Sequence, residues 1–230
     1  MSCCISTGGI FRLKRKIVFD SLAIGMSPFL MNLAACFIVI IINQGLKKYG
    51  GDLAIGAFGI VNRLVFIVVM IVMGLNQGMQ PIAGYNFGAK LYGRVNKVLK
   101  LTIIYATAVT TFGFLVGMLV PDLVVGIFTS DAELTELSVT GLRITVMFFP
   151  IIGFQMVTSN FFQSIGMAGK AIFLSLTRQM LILLPCLLIL PQFFGVAGVW
   201  YSMPVSDLLA SLIALVMLVC QFRKFRTSPL

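Results

Sequence analysis

The chain has 230 residues, of which 59% are hydrophobic and only 10% are charged, and its mean hydropathy is +1.05. Soluble domains carry about 25% charged residues, so this composition excludes a soluble globular domain, a disordered chain and a disulfide-stapled secreted domain. The 17 Lys and Arg against 7 Asp and Glu give a net charge of +10, which in a membrane protein is first a signal of topology and requires no nucleic-acid partner.

Long charge-free runs recur along the chain, and a helix needs about 20 apolar residues to cross the hydrocarbon core. The runs are continuous rather than alternating, so they predict helices and not the strands of a membrane barrel. A cluster of turn residues between Pro191 and Gly195 divides the last long run in two. We therefore predict an all-α, polytopic membrane protein, a bundle of six transmembrane helices over residues 19–43, 53–78, 98–120, 138–163, 171–191 and 197–220.

Basic residues are unevenly divided among the segments that connect these helices. Most of them fall in the N-terminal arm (1–18), the second loop, the fourth loop and the tail (223–230), whereas the opposite side carries only Lys47 and Lys48 outside the spans. The positive-inside rule then places both termini in the cytoplasm. Residues 19–222 are accordingly predicted to form one multi-pass transmembrane lobe in the inner (plasma) membrane.

A few ionisable and amide side chains lie at depth in the predicted spans. A charge at mid-bilayer costs about 2.5–3.5 kcal/mol and usually faces a partner or a cavity. Arg178 and Asp207 lie on consecutive helices and could meet as a structural ion pair, or they could line a substrate path. Amides concentrate on helices one, two and four, which favours a polar cavity over isolated interhelical bonds. The candidate cavity residues are Asn32, Asn62, Arg63, Gln77, Gln155 and Asp207.

The sequence shows no pattern typical of an enzyme. It contains no His, no GxxxxGK[ST] phosphate loop and no GxSxG elbow, so neither catalytic residues nor a metal site nor an organic cofactor is predicted. Cys36, Cys186 and Cys220 lie in apolar runs and are expected to act as small hydrophobic residues. We expect a membrane transporter.

Several short segments follow one another in a characteristic order along the six spans. In this order they resemble the multidrug and toxic compound extrusion (MATE) family, and most closely its MepA-like bacterial branch, over nearly the whole chain. The segments are GIVNR (Gly59 to Arg63), QPIAGYNFGAK (Gln80 to Lys90), GMAGK (Gly166 to Lys170), Arg178-Gln179, GVAGVW (Gly195 to Trp200) and PVSD (Pro204 to Asp207).

The resemblance is to the second half of a twelve-helix transporter with two six-helix lobes. It implies that the arm 1–18 is similar to the linker between lobes, that the first lobe is absent, and that Gly84, Asn86, Gly88 and Lys90 form a cytoplasmic loop motif. It also implies export of drugs and organic cations of amphipathic character in exchange for H⁺ or Na⁺. The mechanism would be alternating access between lobes, with bending at Pro28 or Pro150. The partners would be the lipid bilayer and either a complementary six-helix lobe or a second copy of the chain.

One departure from the family pattern concerns ion coupling. Some branches couple through an acid in the seventh helix, but the matching first helix here has no Asp or Glu between Leu22 and Asn43. The coupling acid is therefore expected in the complementary lobe. Two alternatives to a drug antiporter stay open: a flippase for lipid-linked sugars, which has a related fold, and a truncated remnant that does not transport.

Overall fold

The computed structural model describes the backbone of residues 15–227 and the side chains of Phe29, 32–167 and 169–221. Over that range the chain is helical almost throughout and contains no strand. In chain order the α-helices are α1 (Arg15–Gly88), α2 (Tyr92–Leu119), α3 (Pro121–Gly126), α4 (Ala132–Val146), α5 (Phe149–Ser164), α6 (Ala168–Leu176), α7 (Leu184–Phe194) and α8 (Val196–Thr227), and a π-helical segment, Thr177–Leu183, joins α6 to α7.

Helix α1 contains two membrane spans. Its 74 residues would extend for about 110 Å at 1.5 Å per residue, whereas the hydrocarbon core is about 30 Å thick. Gly51 is non-helical, with φ 69° and ψ −162°, a conformation that L side chains rarely adopt. The chain therefore reverses direction at Gly51, and the predicted first two spans are the two parts of α1.

The remaining spans are α2, the α4–α5 pair, the α6–π–α7 unit and α8. Helices α4 and α5 together have the length and hydropathy of a span and are bent by 55° at their junction. Pro150 lies in the first turn of α5, where its missing N–H interrupts the helical hydrogen bonds across the junction. Counting both parts of α1, the described helices confirm the predicted bundle of six transmembrane spans.

Close backbone approaches show which helix ends share a side of the bundle. A Cβ atom added to Gly50 would lie 2.7 Å from Val196 Cγ2, and one added to Gly84 would lie 3.0 Å from the carbonyl oxygen of Ser164. The turns at Gly51 and Gly195 therefore lie on one side, called here the Gly51 side. The turns after Gly88 and Ser164 lie on the other, the Gly88 side.

Two apolar clusters fill the bundle, one toward each side. The cluster nearer the Gly51 side includes Leu46, Phe58 and Trp200, and the ring centroids of Phe58 and Trp200 are 5.9 Å apart. The cluster nearer the Gly88 side includes Phe161 and Phe162, both fully buried. Large apolar side chains also cover the outside of the bundle, as expected where lipid replaces water. Examples are Phe66, Ile104, Leu181 and Val216.

The helices differ from the predicted spans mainly at their ends. The predicted loop 79–97 is largely helical, because α1 continues to Gly88 and α2 already begins at Tyr92. The apolar run marks the part of a helix inside the membrane, and a helix can continue beyond it. Of the predicted arm, residues 1–14 lie outside the described residues, and so do residues 228–230 of the predicted tail.

Candidate functional site

A polar cavity of about 330 Å³ lies among four spans. Both parts of α1 contribute to it, together with α5, α6 and the π-helical segment. Eight of its lining side chains are polar and three are apolar. They are Asn32, Gln155, Ser159, Asn160, Gln163, Ser175, Arg178 and Gln179, with Ala35, Met73 and Met156.

The polar wall is built by helical spacing on two antiparallel elements. Gln155 and Ser159 are four residues apart on α5 and share one face, as do Ser175 and Gln179 on the facing unit. The two serine hydroxyl oxygens lie 3.3 Å apart. Since the two elements run in opposite directions, this contact places Gln155 and Gln179 at a common level, one turn further toward the Gly51 side.

Arg178 is the charged residue of the cavity wall, and its partner lies behind it on α8. Arg178 Nη2 is 2.6 Å from Asp207 Oδ1, and 33% of the Arg178 side chain is exposed against 6% of the Asp207 side chain. Arg178 lies about 15 Å along the helix from the start of α6. That distance is close to half of the hydrocarbon thickness. The structure thus brings these two predicted residues together, with the guanidinium toward the cavity and the carboxylate in the interior.

The backbone around Arg178 is π-helical rather than α-helical. The N–H of Leu184 donates to the carbonyl oxygen of Gln179, five residues back, and the next residue, Pro185, has no N–H to restore the α-helical pattern. One extra residue in a turn rotates the following side chains relative to a regular α-helix. Such turns are frequent at functional sites, and this one contains both Arg178 and Gln179.

The other predicted cavity residues occupy a different surface. Asn62, Arg63 and Gln77 lie on the second part of α1, where they are exposed, and they do not line the polar cavity. Their spacing, with Met70 and Gly74 between them, places them along one face of the helix. Of the predicted set, the cavity wall contains Asn32 and Gln155, while Asp207 reaches it only through Arg178.

The predicted loop motif proves to be a helix end, and this corrects the prediction of a loop. Gly84, Asn86 and Gly88 lie in the last turns of α1, and Lys90 has φ 60° in the turn that follows. The Asn86 side chain donates to a backbone carbonyl one turn back, at 2.8 Å. Gly84 permits the close approach of Ser164. Helices commonly end at a residue with positive φ, and Lys90 is such a residue here.

The sequence prediction omitted several cavity residues, notably Ser159, Ser175 and Gln179. The four-residue spacing of polar side chains on the fourth and fifth spans is the signal that could have found them. Asn160 also lines the cavity, and its side-chain oxygen accepts a hydrogen bond of 3.5 Å from Gln80 Nε2 on α1. Within the described part of the chain no cluster of three potential metal ligands occurs.

Comparison with known proteins places this bundle in a family. The MatE family model matches residues 26–189, which is more than half of the chain. The chain belongs to the MatE family. Multidrug export protein MepA of Staphylococcus aureus (strain MSSA476) is 28% identical over 201 residues, which are 87% of this chain and 44% of that protein. The corresponding protein of Staphylococcus saprophyticus is 24% identical over 204 residues, 89% of this chain and 45% of its own length.

Solved structures of MatE-type transporters have the same fold. The MATE multidrug transporter DinF-BH is 35% identical and superimposes with a TM-score of 0.81, over 94% of this chain and 48% of that one. An outward-facing multidrug resistance MATE transporter, 20% identical, gives a TM-score of 0.86 over 96% of this chain and 50% of its own. The chain therefore spans about half the length of the MatE relatives it matches, which agrees with the predicted single lobe.

Proposed function

We propose that this chain supplies one six-helix lobe of a secondary multidrug antiporter in the inner (plasma) membrane, with both termini in the cytoplasm. The observation that supports it is the polar cavity around Arg178 and Gln155, in a bundle of the MatE family. Polar side chains at such depth are costly unless they face a partner or a pathway. Transporter folds place their substrate sites near the membrane midplane between repeats.

The proposed substrates are amphipathic organic cations. Next to the polar cavity lies an apolar pocket of about 440 Å³, between the first part of α1 and the α6–π unit. Leu33, Phe37 and Met180 line it, so apolar and polar surfaces adjoin on the same two elements. Met73 and Met156 add polarizable, adaptable surface inside the polar cavity, which suits compounds of varied shape.

A second lobe is needed to cover the exposed face of α1. Asn62, Arg63 and Gln77 would be costly to expose to lipid, and Gly74 on the same face leaves room for close contact. The proposed partner is a complementary six-helix lobe, in the same or another polypeptide, or a second copy of this chain. Rocking of the two lobes would open the cavity to each side in turn.

The proposed exchange ion is H⁺ or Na⁺. No carboxylate lines the described cavity, and the Asp207 carboxylate is paired with Arg178. An acid on the complementary lobe is therefore the expected coupling group. Collapse of the proton gradient or of the sodium gradient, one at a time, would identify the ion.

Dye export in an efflux-deficient bacterial host tests the proposal. The host would express this chain, the complementary lobe, or both, and accumulation of a fluorescent amphipathic cation would be followed. We expect lower accumulation only when both lobes are present. Unchanged accumulation with both lobes abundant in the membrane would overturn the proposal.

A matched pair of variants links export to the cavity. Gln155→Leu removes a buried amide from the cavity wall and should raise dye accumulation. Gln192→Leu makes the same change at an exposed residue near the end of α7, where the amide bonds only to a backbone carbonyl of its own helix, and should export as the parent does. Equal export by the two variants would exclude the cavity as the substrate path.

A further inference from the structure

We infer that the polar cavity is also a binding site for an oxyanion, a carboxylate or phosphate group, with Arg178 as its principal contact. This goes beyond the proposed export of cations, since it assigns this lobe a ligand group of opposite charge. The inference concerns binding by this chain alone and does not depend on transport.

The charge of the cavity wall is the first observation. Ten of its eleven lining side chains are neutral, and the remaining one is the Arg178 guanidinium. The nearest opposite charge, on Asp207, is almost fully buried behind it. A ligand in the cavity can therefore contact the positively charged Arg178 directly, whereas the negatively charged Asp207 lies behind Arg178. In the proposed export, the cationic group of a substrate would lie away from Arg178, toward the acid expected on the complementary lobe.

The geometry of the ion pair is the second observation. Arg178 presents five N–H donors in a planar fork, and Asp207 engages it through Nη2. The buried carboxylate acts as a positioning residue: it contacts Nη2, while a third of the Arg178 side chain stays exposed and the residue lines the cavity. A guanidinium fork matches the two oxygens of a carboxylate or phosphate, which is why arginine predominates in oxyanion sites.

The amides around Arg178 supply further hydrogen-bonding groups. Gln155 is 4% exposed, and neither its side-chain oxygen nor that of Gln179 has a hydrogen-bond partner among the described residues. A buried amide without a protein partner is costly unless a ligand or water completes its bonds. The unpaired atoms are acceptor oxygens, which an oxyanion cannot complete; they require a donor beside it, such as a hydroxyl or N–H group of the same ligand or a water molecule.

The surface charge favours entry of anions from the Gly88 side. The start of α2 carries Arg94, Lys97 and Lys100, and Lys90 precedes them in the turn. A surface of one sign raises the local concentration of ions of the opposite sign. Anionic compounds would thus be concentrated on the side of the bundle where the α5–α6 turn lies.

Binding of two probes of similar shape and opposite charge tests the inference. The purified full chain in neutral-lipid nanodiscs would be titrated with naphthylacetate and with naphthylmethylammonium by calorimetry. We expect naphthylacetate to bind at least tenfold more tightly, and its affinity to fall as salt rises. Equal affinities, or tighter binding of the ammonium, would overturn the inference.

Variants then locate the binding. The double variant Arg178→Gln with Asp207→Asn removes both charges without leaving either unpaired, and it should weaken naphthylacetate binding at least tenfold. Arg178→Lys keeps the charge but loses the fork and should give an intermediate affinity. Arg143→Gln, at an exposed arginine away from the cavity, is the matched control and should bind as the parent. An unchanged affinity in the double variant, with its fold intact by circular dichroism, would contradict the assignment.

Competition distinguishes the possible sources of the oxyanion. Inorganic phosphate in the buffer and phosphatidylglycerol in the nanodisc would each be tested as competitors of naphthylacetate. Displacement by phosphate alone would indicate a small soluble anion, and displacement by the lipid alone would indicate a head group. If neither displaces the bound probe, the site selects amphipathic carboxylates. A failure of dye export would leave each of these binding results unaffected.

Discussion

The indole ring of Trp200 on α8 packs directly against Gly141 on α4. A Cβ atom added to Gly141 would lie 2.6 Å from the ring atom Cη2, and the Trp200 ring also packs against Phe58, with 5.9 Å between the ring centroids. Gly141 is therefore a position of close contact between the fourth and sixth spans in the apolar cluster near the Gly51 side. The contact requires the absence of a side chain rather than the backbone freedom of glycine.

Gly141→Ala should lower the free energy of unfolding by about 1–3 kcal/mol, the usual effect of overpacking a core. Denaturant titration of the detergent-solubilised chain, followed by Trp200 fluorescence, would measure it. Gly59→Ala is the control, since nothing lies within 4 Å of the added atom. That change should be neutral or stabilising by up to about 1 kcal/mol through helix propensity. Equal losses in both variants would contradict the packing explanation.

The Arg178–Asp207 pair makes a prediction about stability. Arg178→Gln leaves the Asp207 carboxylate buried without its partner, and breaking such a pair typically costs about 3–5 kcal/mol. Adding Asp207→Asn to the same protein removes the unpaired charge and should recover most of the loss. The same unfolding measurement would show it, with Arg143→Gln unchanged. A double variant as unstable as the single one would mean that the pair is not the cause.

Pro150 makes a prediction about movement. Pro150→Ala restores an N–H in the first turn of α5 and should reduce the 55° bend between α4 and α5. In the two-lobe export experiment we expect higher dye accumulation with membrane abundance unchanged. Pro121→Ala is the control, because Pro121 also lies in the first turn of its helix, α3, but outside the bent α4–α5 pair. If Pro150→Ala exports the dye as the parent does, the bend is not required for transport.

The exposed face of α1 makes a prediction about assembly. Gly74→Leu adds a large side chain where this chain leaves open space, so the stability of the isolated lobe should change little. Crosslinking to the complementary lobe or to a second copy should fall by at least half. Gly126→Leu makes the same change in equally open surroundings at the end of α3 and should crosslink normally. Loss of crosslinking in both variants would point to a general defect instead of this face.

Much of the fold follows from the sequence because the length of an apolar run is a local quantity. The runs around 98–120 and 197–220 correspond to α2 and α8, and the turn predicted after Pro191 occurs at Gly195, with φ 57°. Helix ends were less predictable. The helix α1 continues to Gly88 because hydrogen bonding along a helix does not stop where hydropathy falls.

The candidate site could not be predicted from local hydropathy, because it depends on how each helix is rotated about its axis. Composition located the amides on the correct spans, yet it gave no means of separating Asn32 and Gln155, which line the cavity, from Asn62 and Gln77, which lie on the exposed face of α1. The two groups consist of the same residue types, asparagine and glutamine. Only the rotation of each helix about its axis distinguishes them.

The sequence by itself determined the membrane environment, the number of spans and the family, since each depends on local hydropathy or on short runs of residues. The tertiary structure decided that Arg178 turns toward a cavity and Asp207 away from it. That arrangement rests on the ion pair of Arg178 with Asp207 on α8 and on the serine contact between α5 and α6. These are contacts between distant parts of the chain, and no single segment contains the information that fixes them.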